Sequence, residues 1–150
     1  MMKHLNPLAE THEWFVRAVS KPTMRNLAVQ CGVHFEEVAE FACEIQTNDP
    51  ELLMRVKAAH TALEELSTYL KTKTENITFT DRVATLDSIC DQLVTATGVS
   101  YMLGMDPVGG LAEVNRSNWS KFVDGLPQFD ANGKIMKAGD YTPPNLDPFV

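Results

Sequence analysis

The residues most able to do chemistry in this 150-residue chain are acidic side chains at helical spacing. In Glu36-Glu37-Val38-Ala39-Glu40, Glu37 and Glu40 are three apart and Glu36 and Glu40 are four apart. Both spacings put carboxylates on neighbouring turns of one helix face, where like charges destabilise a helix unless a cation sits among them. A second segment sets Asp87 and Asp91 four apart beside Leu86, Ile89, Cys90 and Leu93. Carboxylates on such a partly apolar face are costly to bury unpaired. Two helices that each offer a carboxylate pair make an oxygen-rich site suited to Mg²⁺ or Mn²⁺. Metals held in this way can hydrolyse a phosphoanhydride. The same residues also suit a plain solvated helix face, which is how Glu64-Glu65 reads.

A third group lies between Glu113 and Lys121. Asn115, Asn118 and Lys121 follow each other at steps of three and share one face. Amide donors with an ammonium suit phosphate oxygens. A polar helix end with a lysine in its last turn has the same composition. His34 lies one turn before Glu37, while His12 and His60 have no partner at ligand spacing. No H-E-x-x-H, no G-x-x-x-x-G-K-[ST] loop and no G-x-S-x-G elbow occurs, which removes zincin, P-loop and α/β-hydrolase chemistry.

Helices must position these groups. Apolar residues at steps of three and four predict helices over Leu8–Ser20, Met24–Gln46 and Glu51 to about Lys71. Two more are predicted from a cap at Thr80 or Asp81 to about Leu103, and from Val108 to Phe122. Lys21-Pro22 ends the first, Asp49-Pro50 caps and starts the third, and Gly104 stops the fourth. The second is expected to be irregular at Gly32, and Lys71–Asn76 to loop out. In the fourth, Val83, Leu86, Ile89, Cys90, Leu93, Val94 and Ala96 are expected to face inward. After Val123, Gly125, Pro127, Asn132-Gly133 and Pro143-Pro144 mark a small hairpin or extended arm. The expectation is an all-α bundle of about five helices in residues 1–122, with 123–150 an irregular C-terminal extension of the same domain.

Composition narrows the partners. The net charge of -7 argues against nonspecific nucleic-acid binding. No apolar stretch is long enough to cross a membrane and the first residues lack a signal-peptide core, so the expected compartment is the cytoplasm. Cys31, Cys43 and Cys90 are odd in number and form no C-x-x-C, which reads as three buried thiols in a reducing environment.

Taken in order, these segments resemble the MazG-like family of all-α nucleoside triphosphate pyrophosphohydrolases, which includes phosphoribosyl-ATP pyrophosphohydrolase-like proteins. The E-E-x-x-E motif stands as Glu36-Glu37-Val38-Ala39-Glu40, and the second acidic motif as Asp87 to Leu93. That second motif has Asp87 four before Asp91 and Ser88 three before it, where the family often has E-x-x-D. The D-x-x-x-D pattern is closer to a branch common in phages and bacteria. Gly98 to Asp106, Glu113 to Lys121 and Gly133-Lys134 through Pro144 match that branch's later segments.

The resemblance implies metal-dependent hydrolysis of a nucleoside or deoxynucleoside triphosphate to the monophosphate and pyrophosphate. It implies that Glu37, Glu40, Asp87 and Asp91 hold Mg²⁺, with Mn²⁺ as a substitute, and that Glu36 is a ligand or the base that positions water. Asn118 and Lys121 would bind phosphates with help from Asn115, and Trp14 or Phe15 would stack the base or pack in the core. It further implies a homodimer or homotetramer. Two other readings stand beside it: a non-enzymatic helical interaction module, and an enzyme acting on phosphoribosyl-ATP-like substrates.

Overall fold

The computed structural model describes residues 6–131 and 133–150. Five α-helices and one short 3₁₀ turn make up its regular structure, and the described residues form no β-strand. The helices are α1 (Pro7–Ala18), α2 (Met24–Cys43), α3 (Pro50–Thr72), α4 (Arg82–Met102) and α5 (Pro107–Trp119). Each begins at a side-chain cap that accepts a backbone N–H otherwise left without a partner. Asn6, Asp49, Asp81 and Asp106 each cap with a side-chain oxygen, and Pro7, Pro50 and Pro107 occupy first helical positions. Thr23 and Asn26 bond reciprocally in a capping box that starts α2. No helix among the described residues is long and apolar enough to cross a membrane.

The chain divides into two compact units. One comprises α2, α3 and residues 129–134. Here α2 and α3 form a hairpin joined by residues 44–49, with the start of α2 against the end of α3. Gly32 causes no irregularity in α2, contrary to expectation, because it is a packing position. A Cβ there would stand 2.7 Å from Lys71 Cγ and 2.8 Å from the Ser67 carbonyl oxygen. Hydrogen in place of a methyl lets the two helices approach closely. Ala28, Val29 and Ala39 of α2 and Leu70 of α3 are buried in this unit. The Arg25 guanidinium donates to the carbonyl oxygens of Leu70, Lys71 and Thr74 and closes the last turn of α3. The helix runs to Thr72, one residue past its expected end near Lys71.

The other unit comprises residues 6–20, 79–128 and 135–150. Its best-packed junction joins α1 to α5. Trp14 is buried, stacks on Phe122 at 5.9 Å and donates from Nε1 to the Asn118 carbonyl oxygen at 3.0 Å. The tail lies along α5. Arg116 donates to Thr142 Oγ1 and to the Pro143 carbonyl oxygen, while Glu113 accepts the Asn145 N–H. Gly109 allows the Phe149 ring to seat on the first turn of α5, where a Cβ would meet it at 2.5 Å.

Two expectations about burial fail. No residue of α4 is buried, although its apolar residues recur at helical spacing. Leu86 is 62% exposed, and Val83, Ile89, Cys90, Leu93 and Val94 are exposed as well. Within its unit α4 meets only α5, so most of its length has no neighbour there to pack on. The thiols differ too: Cys31 is half-buried, while Cys43 and Cys90 are exposed. Cys43 is the last residue of α2 and Cys90 lies on the unburied α4, which explains both.

Candidate functional site

Position along α2 decides what the first acidic motif presents. Ala39 faces α3 and is buried, which turns Glu37 and Glu40 outward to solvent. Glu36 is only 22% exposed and stands between two lysines. Lys71 Nζ lies 2.9 Å from Glu36 Oε1, and Lys134 Nζ lies 2.9 Å from Glu36 Oε2. Partial burial pushes the Glu36 carboxyl up, but the hydrogen bonds and charges of Lys71 and Lys134 outweigh it and hold the group below its ordinary range. Both carboxylate oxygens are engaged, so in this arrangement Glu36 is a poor proton acceptor.

Beside the lysines opens a cleft of about 260 Å³, lined by Val29, Thr68, Lys71, Thr72, Asp130 and Lys134. The turn that brings Lys134 there is built locally. Asp130 Oδ1 accepts the Lys134 N–H at 2.9 Å, and the Asp130 N–H donates to the Lys134 carbonyl oxygen. Gly133 completes the turn with a φ of 81°, a left-handed value that glycine adopts without strain. The expected turn at Asn132-Gly133 is thus present at Gly133, while Asn132 lies outside the described residues.

Asp87 and Asp91 are exposed on α4, in the other unit. Each acidic pair offers oxygen donors of the type Mg²⁺ takes. Among the described residues, no group of three or more His, Cys, Asp or Glu side chains could hold a metal ion. His34 is exposed and 6.0 Å from the Phe35 ring, His12 is exposed, and His60 is half-buried.

The residues expected to contact phosphate separate into two kinds. Asn115 is 0% exposed. Its Nδ2 donates to the Pro7 carbonyl oxygen at 2.8 Å, and its Oδ1 accepts from Thr11 Oγ1 at 2.9 Å. This side chain is a tie between α1 and α5 with no surface for a ligand, which corrects its assignment to substrate contact. Trp14, likewise buried, packs in that junction. Asn118 and Lys121 lie at its edge, half-buried, with Lys121 Nζ donating to Asn118 Oδ1 at 2.7 Å and standing 6.0 Å from the Trp14 ring centroid.

Lys71 and Lys134 are the site residues that spacing along the chain does not reveal. They lie 35 and 98 positions after Glu36, so no helical period joins them to the acidic motif. The signals present are the motif itself, since three glutamates on one face call for a cation, and the Gly133-Lys134 segment of the resemblance, which gives Lys134 no role. No known protein family, curated protein or solved structure matches the chain.

Proposed function

We propose that the protein is a metal-dependent pyrophosphohydrolase of nucleoside or deoxynucleoside triphosphates with a MazG-like helical fold. One observation carries the reading most directly: α2 presents Glu37 and Glu40 to solvent on adjoining turns, while Glu36 beside them is held by two lysines. Carboxylates for a cation, with ammoniums for an anion drawn to the same motif, suit a metal–polyphosphate complex.

In this reading Glu37 and Glu40 on α2 would hold Mg²⁺ or Mn²⁺, and Asp87 and Asp91 on α4 would offer a second carboxylate pair for it. The metal, when bound, would neutralise phosphate charge and acidify water. Water attacks the α-phosphorus in line, the bond from that phosphorus to the bridging oxygen breaks, and pyrophosphate leaves. Glu36 takes the proton from the attacking water, once its lysines have released it. Asn118 and Lys121 orient phosphate oxygens from the end of α5. The apolar residues left exposed on α4 support assembly as a homodimer or homotetramer, because a second copy would cover them.

The test is pyrophosphate release from the eight common NTPs and dNTPs with Mg²⁺ or Mn²⁺, beside a Glu40→Gln control. Phosphoribosyl-ATP belongs in the same panel. Metal-dependent release that Glu40→Gln loses is the expected result, and the substrate ranking selects among the nucleotides. No release from any substrate, together with no metal binding, sinks the hydrolase and promotes an interaction module docking through α4. Sedimentation should show more than one copy per particle; a monomer at micromolar concentration would remove the assembly.

A further inference from the structure

We propose that Lys71 and Lys134 form a polyphosphate-binding site on the α2–α3 hairpin, with the Glu36 carboxylate as the anion that occupies it when no ligand is bound. Each ammonium contacts a different oxygen of one carboxylate, both at 2.9 Å. Two positive charges are therefore drawn together over a single negative one. Their mutual repulsion and the lost freedom of two long side chains both oppose the arrangement. Partly exposed ion pairs return little each. A ligand with several negative charges on tetrahedral oxygens would satisfy both ammoniums better than one carboxylate does.

The surroundings suit such a ligand. The cleft of about 260 Å³ adjoins both lysines and is walled by Val29, Thr68 and Thr72. Lys71 is 17% exposed and its stem is gripped between Gly32 and α3, which fixes its ammonium. Lys134 is 44% exposed on its turn and able to follow a ligand. Asp130 also lines the cleft, with Oδ1 accepting the Lys134 N–H; its charge opposes an anion, but the two ammoniums outnumber it once Glu36 withdraws. The inference rests on the proposed hydrolase only in taking the ligand to be the polyphosphate chain of the substrate.

Calorimetric binding of inorganic tripolyphosphate to the full chain, in EDTA and low salt, tests it without metal, nucleotide or turnover. Glu36→Gln should bind tripolyphosphate about tenfold more tightly than the unaltered protein, because a resident anion is gone. Glu36→Gln/Lys71→Gln and Glu36→Gln/Lys134→Gln should each lose that gain. Lys134→Gln lies on an exposed turn and keeps the test intact should Lys71→Gln fail to fold, which circular dichroism reports. Equal or weaker binding by Glu36→Gln overturns the proposal, as does tight binding that survives both lysine changes. Tripolyphosphate binding with the expected pattern, in a protein that hydrolyses no nucleotide, would keep this site and remove the hydrolase. Hydrolysis without the pattern would do the reverse.

Discussion

Replacing Asn115 by alanine should destabilise the α1–α5 unit by an amount the geometry allows to be worked out. The Nδ2 bond to the Pro7 carbonyl oxygen, at 2.8 Å and fully buried, is worth about 1 kcal/mol. The Thr11 hydroxyl has a single proton, which it shares between Pro7 O at 3.0 Å and Asn115 Oδ1 at 2.9 Å. Losing the Asn115 half costs roughly 0.5 kcal/mol, since Thr11 keeps its other acceptor. Removing the amide leaves a void of roughly 50 Å³, which at about 24 cal/mol per Å³ adds ~1 kcal/mol. The expected total is about 2.5 kcal/mol. Urea unfolding followed by tryptophan fluorescence reads it, because Trp14 and Trp119 both lie at the junction. Asn115→Asp should cost more at pH 7, because an acceptor then faces the Pro7 carbonyl where a donor stood. Burial raises that new carboxyl's folded pKa, so its stability is greatest at low pH and falls as pH rises through that value. A loss below ~1 kcal/mol for Asn115→Ala, joined to a raised KM for nucleotide, would refute the structural role and return Asn115 to substrate binding.

Arg25→Met should cost about 2 kcal/mol, through three charge-assisted bonds to the end of α3. Faster hydrogen exchange at the Lys73 N–H should accompany it, and unchanged exchange would count against the cap. Ser67→Ala should stabilise the protein by about 1 kcal/mol, since the Ser67 hydroxyl is buried with no hydrogen-bond partner among the described residues. A lowered melting temperature would show that this hydroxyl has a partner. Glu113 is held at about 2 by the Arg116 guanidinium first and the Asn145 N–H second, against an ordinary value of 4.5. Its folded value is depressed, so its contribution to tail docking is complete above about pH 4.5 and fades as pH falls toward 2. The Asn145 amide shift in a pH titration should move with a midpoint near 2; a midpoint in the ordinary carboxyl range would contradict this.

Helix starts were the most legible part of the fold, because capping is a local matter. Asp49-Pro50 announces a helix with two adjacent residues, and the structure starts α3 there; Asp106-Pro107 does the same for α5, although in the sequence it reads only as the stop of the helix before. Burial was less legible. The apolar residues of α4 follow a helical period as regularly as a core helix, and periodicity names a face without naming what covers it. Asn115 shows the same limit from the polar side. Its spacing to Asn118 and Lys121 suggested one ligand-facing stripe, but α1 packs over the first of the three and leaves the other two at the edge. The lysines on Glu36 come from the end of α3 and from the tail, and only the folded chain brings them to one carboxylate.

The α1–α5 junction also has a history within each round of translation. Thr11 meets Asn115 across 104 residues, and Trp14 meets Asn118 across the same span. A ribosome adding roughly 5–20 residues per second leaves α1 without its partner for about 5–20 s. A 12-residue helix is marginal alone in water, so for that interval the Trp14 face is sticky and unprotected. The α2–α3 hairpin has short-range contacts and can close meanwhile. Nascent chains arrested before Gly110 should therefore yield to protease within α1 while resisting it across the hairpin. Early protection of α1 would mean that something other than α5 shelters it. Without such a shelter, one aromatic helix stays uncovered through most of synthesis, waiting for the segment that completes it.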